Sequence, residues 1–137
     1  MDIKELKKLF ISKKILYVED DEYLCEVNKE ALELFCDDVF IGKDGEEGLE
    51  IFKENTDIDL VLTDVTMEKM HGLEMAKQIR KLNPNVKIIA RTSHSMAYLR
   101  ENFSEYDVKG LFDHTLQKPF DFVDLLEIID KYIEPNN

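Results

Sequence analysis

Residues 15–21 read ILYVEDD, a run of four apolar residues that ends abruptly in three carboxylates. Four further short runs rich in apolar residues follow along the chain, separated by longer stretches with helical periodicity. The five runs predict strands at 15–18, 39–41, 60–63, 87–90 and 111–116. Because the middle runs lack polar alternation, they are typical of strands covered by helices on both faces. The pattern predicts an α/β fold, a doubly wound five-stranded parallel sheet with helices on both faces.

Five longer segments between and after these runs carry apolar residues at helical spacing. They predict helices at 22–34, 45–52, 73–82, 95–108 and 122–133. The Asn83-Pro84 pair ends the third helix, and Asp121 is predicted to cap the last one. The end of the fourth helix stays open, because polar residues around Ser104 interrupt its apolar stripe.

The length of 137 residues fits one domain of ordinary size. The expected organisation is a lead-in segment at 1–13 followed by one domain at 14–134, with no output domain after it. Spaced apolar residues in the lead-in predict a short amphipathic helix, which packs on the domain or contacts a partner. The sequence does not choose between these two roles.

The chain is strongly acidic, with 30 Asp and Glu against 18 Lys and Arg and a formal net charge of −12. This charge opposes direct contact with nucleic acid or with an anionic membrane. The first residues are charged and lack the continuous apolar segment of a secretory signal, so a cytoplasmic location is expected. Cys25 and Cys36 are expected to be reduced packing residues.

Polar and charged residues gather where the predicted strands end. Because the carboxyl ends of parallel strands meet at one edge of a sheet, these residues are expected to form one site. They are Glu19, Asp20 and Asp21 after the first strand, Asp64 after the third, Arg91, Thr92 and Ser93 at the fourth, and Gln117, Lys118 and Pro119 at the fifth.

Taken alone, each of these acids has an ordinary explanation. Asp20 or Asp21 can cap the first helix, and Asp64 can begin a turn. Together they are harder to explain, because two like charges about 4 Å apart cost on the order of 4 kcal/mol at an effective dielectric constant near 20. Clustered oxygen ligands without cysteine or histidine favour Mg²⁺ as the cation.

The acidic residues after the first strand argue against two other uses of this architecture. Nucleotide-binding and flavin-binding folds place a glycine-rich or hydroxyl-rich loop there to hold phosphate, and an acidic loop repels phosphate. Haloacid-dehalogenase-like phosphatases usually carry a second aspartate two residues after the nucleophile. Thr66 stands at that position, so the proton-transfer partner for turnover is missing.

The chain resembles the receiver domain of two-component response regulators, including the chemotaxis regulators. The segments that carry the resemblance are ILYVEDD, KDGEEGL, LVLTDVTMEKMHGLEM, KIIARTS and LQKPF, in the family order. The match extends over residues 14–133. It implies the flavodoxin-like strand order 2-1-3-4-5 and a phosphoprotein that signals through an aspartyl phosphate.

The resemblance implies a metal and phosphoryl site. Asp64 matches the phosphoacceptor, and Glu19 and Asp20 match the acidic pair that holds Mg²⁺ together with it. The main-chain carbonyl of Thr66 matches a further metal ligand.

The resemblance also implies a switch. Thr92 matches the hydroxyl that moves to the phosphoryl group, and Lys118 matches the lysine that pairs with it. Ser93 and Thr115 occupy neighbouring switch and output positions.

Three positions depart from the family pattern. Glu68 replaces the usual proline after Met67, which removes a rigid ring from a partner-facing loop. Arg91 places a charge before Thr92 where an apolar residue is usual. Thr115 stands where an aromatic residue commonly rotates with the switch, so aromatic gating is in doubt.

The preferred hypothesis is a Mg²⁺-dependent receiver that takes a phosphoryl group from a histidine kinase or a phosphotransfer protein. It signals to an unknown downstream protein and catalyses only its own phosphorylation and dephosphorylation. One alternative is a receiver-like interaction module that works without phosphorylation, and a weaker one is a Mg²⁺-dependent phosphohydrolase. The scattered residues His71, His94 and His114 receive no catalytic role.

Overall fold

The computed structural model describes residues 13–67 and 69–117, together with Asp124, Glu127 and Lys131. Strands and helices alternate along the first two of these ranges. The strands are β1 (Lys14–Val18), β2 (Asp38–Gly42), β3 (Leu60–Asp64), β4 (Lys87–Thr92) and β5 (His114–Gln117). The helices are α1 (Glu22–Glu33), α2 (Gly45–Glu54), α3 (Gly72–Leu82), α4 (Met96–Asn102) and α5 (Val108–Leu111).

The five strands form one parallel sheet in the order β2-β1-β3-β4-β5, which confirms the predicted fold class and strand order. The central strands β1, β3 and β4 are adjacent, so their carboxyl ends lie at the same edge. Val18 pairs in register with Thr63, and Asp64 pairs with Arg91. This register sets the polar residues that follow β1 beside those that end β3 and β4.

The two faces of the sheet bury separate apolar clusters. One cluster joins Leu16 and Val61 to apolar residues of α2, α3 and α4. The other joins Tyr17 and Leu62 to Leu32 of α1. Every residue of β3 is buried, which explains why its sequence shows no polar alternation.

Each described helix begins with a side chain that accepts a hydrogen bond from a backbone N–H three residues later, the arrangement that satisfies an otherwise unpaired helix donor. The capping residues are Asp21, Asp44, His71, Ser95 and Asp107. The sequence left open whether Asp20 or Asp21 caps the first helix, and the structure shows that Asp21 does so. Asp21 caps α1 through the N–H of Leu24 at 3.0 Å.

The segment between β4 and β5 differs from the prediction. The single helix predicted at 95–108 is two shorter helices, α4 and α5, and the strand predicted from residue 111 begins at His114. Val108 and Phe112 are buried in the same cluster as Leu99 of α4. These apolar residues are therefore buried from a short helical turn and the residue that follows it. In the sequence, such a turn has the same apolar pattern as the start of a strand.

Several predictions fall outside the described residues. They concern the lead-in at 1–12, Glu68, the Lys118-Pro119 pair and most of the predicted helix at 122–133. Within that last range, Asp124, Glu127 and Lys131 are helical and exposed. Among the helices that the structure describes, none combines the length and the apolar character needed to cross a bilayer.

Gly72, the first residue of α3, lies directly against the end of β3. Its N–H donates to the carbonyl oxygen of Val65 at 2.8 Å. A Cβ atom added at Gly72 would lie 2.2 Å from the carbonyl oxygen of Asp64. The absence of a side chain therefore lets α3 approach the backbone that carries Asp64.

We expect Gly72→Ala to destabilise the fold by about 2–3 kcal/mol, because the backbone of β3 must shift to admit the methyl group. Urea denaturation followed by circular dichroism measures this loss. Gly110→Ala is the matched control, since its Cβ would meet the carboxylate of exposed Asp107, a side chain that can move. Equal losses in the two variants would contradict the close approach at Gly72.

Candidate functional site

Three carboxylates from two strand ends meet at the carboxyl edge of the sheet. Glu19 follows β1, Asp20 comes next, and Asp64 ends β3. Each offers an oxygen within 4.8 Å of the oxygens offered by the other two. Glu19 is 2% exposed and Asp64 5% exposed, while Asp20 is open to solvent. The sequence prediction that these residues converge is confirmed.

Two of these acids, Glu19 and Asp20, have pKa values above their ordinary range. Burial, together with the hydrogen bond and the charge of Asp64, raises the pKa of Glu19 to about 7. Burial and the charge of Glu19 also raise the pKa of Asp20. Both pKa shifts arise first from desolvation and then from the neighbouring carboxylates.

The donor set fits Mg²⁺. All three side chains offer hard oxygen atoms, and cysteine and histidine are absent from the group. Two of the three are buried at the edge of the sheet, and Asp20 faces solvent, which leaves room for the waters that Mg²⁺ retains. A divalent cation here would neutralise the repulsion between these carboxylates, which contributes to the two pKa shifts.

Arg91, which the sequence places among the strand-end residues and which departs from the family pattern, is part of the same site. Its Nη1 lies 3.4 Å from Oε1 of Glu19, and it donates a hydrogen bond to the Tyr17 hydroxyl at 2.6 Å. Asn28 of α1 donates to the same hydroxyl at 2.9 Å. Sequence reasoning did not assign Tyr17 or Asn28 to the site, because each has the appearance of an ordinary strand or helix residue.

A cleft of about 340 Å³ opens above these carboxylates. Its described lining combines the acids with residues from the end of β3, the end of β4 and the loop after β4. The lining residues are Glu19, Asp20, Asp21, Leu24, Asp64, Thr66, Arg91, Thr92, Ser93 and His94. The cleft is large enough for a tetrahedral oxyanion beside a hydrated cation.

Thr92 lies at the end of β4 with 5% exposure. Its Oγ1 accepts a hydrogen bond from the backbone N–H of His94 at 2.9 Å. Ser93 is exposed, and the His94 ring stacks on Tyr98 of α4 with 4.0 Å between centroids. The predicted switch hydroxyl is therefore hydrogen-bonded to the loop that leads into α4.

Not every predicted residue joins this site in the described structure. Thr115 lies within β5 and pairs in register with Ala90, two positions before Thr92. It is not among the described residues that line the cleft. Lys118 follows directly after Gln117, the β5 residue that pairs with Thr92, and itself lies outside the described residues.

Comparison with known proteins gives a family match over most of the chain. A family model described as the response regulator receiver domain matches residues 15–130. The chain is 38% identical over 113 residues to the response regulator ArlR of Staphylococcus saprophyticus, covering 82% of this chain and 49% of that protein. It is 32% identical over 117 residues to the transcriptional regulatory protein ZraR of Escherichia coli, covering 85% of this chain and 25% of that protein. The chain thus spans between a quarter and half the length of these relatives.

Solved structures give the same result. The chain is similar to a response regulator receiver domain protein from Clostridium thermocellum, with a TM-score of 0.77 and 30% identity over 89% of this chain and 94% of that one. It is also similar to the response regulator TrrA of Thermotoga maritima, with a TM-score of 0.75 and 33% identity over 89% of this chain and all of that one. The TrrA structure is a complex with Mg²⁺-BeF.

We expect Asp64→Asn to stabilise the protein in the presence of EDTA. The change removes one of the crowded negative charges, and a gain on the order of 1 kcal/mol is reasonable for partly screened carboxylates. Thermal unfolding of both proteins in EDTA measures the effect, and added Mg²⁺ should stabilise the wild type more than the variant. Asp37→Asn, at an exposed site, is the control, and an Asp64→Asn protein no more stable than wild type would refute the repulsion.

Proposed function

The chain belongs to the response regulator receiver domain family, and we propose that it accepts a phosphoryl group on Asp64 from a histidine kinase or a phosphotransfer protein. As a receiver domain it is a signalling domain of a two-component system. The observation that supports Asp64 as the acceptor is its place in the carboxylate group. It is buried at a strand end, within 4.8 Å of the Glu19 and Asp20 oxygens, and it lines the open cleft.

We propose that Glu19, Asp20 and Asp64 hold Mg²⁺, with the main-chain carbonyl of Thr66 as a further ligand. Their oxygen chemistry and spacing support this assignment. When bound, Mg²⁺ would supply positive charge to the oxygens of the transferred phosphoryl group. Lys118 is the proposed second cation, because it follows the β5 residue that pairs with Thr92 at the same edge of the sheet.

The proposed transfer needs little covalent chemistry from the domain. A carboxylate oxygen of Asp64 forms a bond to phosphorus while the bond between phosphorus and the donor's leaving group breaks, and the bonding electrons leave with that group. Later attack by water on the phosphoryl group restores the Asp64 carboxylate and releases phosphate. Alignment and charge neutralisation are therefore the main tasks of the surrounding residues.

The hydrogen bonds of Thr92 support its role as the switch. Its hydroxyl oxygen accepts from the His94 N–H, so its own proton remains available to donate to a phosphoryl oxygen. Movement of Thr92 toward Asp64 would pull on the loop that begins α4, whose cap is Ser95. Phosphorylation would then shift the population of two arrangements of this surface.

Receiver domains interact with histidine kinases, and we propose a protein as the downstream partner of this domain as well. The net charge of −12 makes direct contact between this domain and nucleic acid or an anionic membrane unfavourable. The curated relatives include a transcriptional regulatory protein, ZraR, of which the matched segment covers 25%. A cytoplasmic location is part of the same proposal.

The central test is phosphorylation by a small-molecule donor. We expect wild-type protein with acetyl phosphate and Mg²⁺ to gain the mass of one phosphoryl group, and Asp64→Asn or wild type in EDTA to gain none. Intact-mass spectrometry measures the change. Unaltered partner binding by Asp64→Asn would favour an interaction module that needs no phosphorylation, and steady turnover of a phosphomonoester would favour a phosphohydrolase.

A second test addresses the switch. We expect Thr92→Ala to be phosphorylated but to show little of the change in α4 amide chemical shifts that phosphorylation causes in wild type, because the donor to the phosphoryl oxygen is missing. Thr92→Ser keeps the hydroxyl and should keep most of the change. The measurement is a pair of ¹H–¹⁵N NMR spectra before and after addition of acetyl phosphate. A full response in Thr92→Ala would rule out this hydroxyl as the link.

A further inference from the structure

We propose that Arg91 is an internal counter-cation that holds Glu19 and competes with Mg²⁺ for it, and so sets how much Mg²⁺ the receiver requires. The inference rests on the proposed function, because it concerns the same carboxylates. It assigns a role to a residue at which the sequence departs from the family pattern. Arg91 is here a positioning residue, since it acts through Glu19.

The first support is the direct contact between the two side chains. Nη1 of Arg91 lies 3.4 Å from Oε1 of Glu19, and both side chains are almost fully buried, at 8% and 1% exposure. Buried opposite charges are screened less than surface pairs, so their interaction is stronger than that of an exposed ion pair. A cation that approaches Glu19 must share this carboxylate with Arg91.

The second support comes from the hydroxyl of Tyr17, which has one proton to donate. Arg91 and Asn28 both donate to its oxygen, at 2.6 Å and 2.9 Å, and neither group can accept a proton from it in this arrangement. The tyrosine proton therefore points to Oε1 of Glu19, 3.2 Å away. Arg91 thus holds Glu19 directly and also through Tyr17.

The other oxygen of Glu19 is held as well. Oε2 accepts a hydrogen bond from the backbone N–H of Asp21, the residue that caps α1, at 3.3 Å. Glu19 is therefore fixed by donors from β1, β4 and the start of α1. These donors keep the Glu19 carboxylate beside Asp64. They also offset part of the negative charge of Glu19, which would otherwise attract Mg²⁺.

The position of Arg91 explains why it reaches the site. Its backbone pairs in register with Asp64 on the neighbouring strand, and its side chain extends past β3 to Tyr17 on β1. The guanidinium carbon lies 5.7 Å from the centre of the Tyr17 ring, which adds a cation–π contact. Arg91 also lines the cleft, so its charge acts on whatever cation enters there.

The test compares Mg²⁺ affinity in variants that keep or remove this charge. We expect Arg91→Gln, which keeps hydrogen-bond donors but no charge, to bind Mg²⁺ about tenfold more tightly than wild type, because a unit charge a few ångströms from the ion no longer opposes it. Arg91→Lys keeps the charge and should stay within about threefold of wild type. Amide chemical shifts during a Mg²⁺ titration give the affinities.

Thermal unfolding gives a readout that does not depend on activity. We expect Arg91→Gln to unfold at lower temperature than wild type in EDTA and to gain more stability from Mg²⁺. Arg80→Gln is the matched control, because Arg80 is another partly buried arginine, paired with Asp113 at 2.9 Å and bonded to backbone carbonyls away from the cleft. It should lose stability with no change in Mg²⁺ affinity.

The outcomes separate this inference from the proposed function. If wild type binds Mg²⁺ and is phosphorylated on Asp64, but Arg91→Gln binds Mg²⁺ no more tightly, the role of Arg91 is overturned and the proposed function stands. Equal tightening in Arg91→Lys and Arg91→Gln would also overturn it, because charge would not be the cause. If wild type shows no saturable Mg²⁺ binding at these carboxylates, the proposed function fails first.

Discussion

At the carboxyl edge of the sheet, the buried carboxylates of Glu19 and Asp64 lie close enough to repel each other, and exposed Asp20 lies beside them. Glu19, Asp20 and Asp64 cannot all carry full negative charge so close together without nearby cations. Burial raises the pKa of Glu19, and the neighbouring Asp64 adds to that rise. Repulsion among these carboxylates favours uptake of a divalent cation. The bound cation can then offset the negative charge of an incoming phosphoryl group.

The fold supplies rigid supports that keep these acids together. Each strand end is fixed by neighbours on both sides, and Glu19 is held further by an N–H bond to the carbonyl oxygen of Gly42 on β2. Gly72 lets α3 pack against the backbone of Asp64, and Asp21 begins α1 immediately after the acidic pair. Packing and capping therefore oppose the separation that like charges would otherwise cause.

Arg91 gives this receiver a second way to balance the same charge. A permanent cation beside Glu19 relieves part of the repulsion at every Mg²⁺ concentration, while Mg²⁺ relieves it only when bound. The Tyr17 hydroxyl accepts hydrogen bonds from both Arg91 and Asn28, and its bond to Arg91 offsets part of the cost of burying the guanidinium. Thr92, the next residue, is bonded to the loop before α4, so the charge balance and the proposed switch occupy consecutive positions.

Sequence patterns alone predict the parallel α/β architecture, four of the five strands to within one or two residues, and the convergence of Glu19, Asp20 and Asp64. These features follow from local periodicity and from the rule that parallel strands end at a common edge. The single helix predicted at 95–108 and the strand start predicted at residue 111 were wrong, because a buried helical turn and a strand can carry the same apolar residues. The contact between Arg91 and Tyr17 becomes visible only in the folded chain, since the two residues lie 74 positions apart in sequence and their contact depends on strand register and side-chain direction.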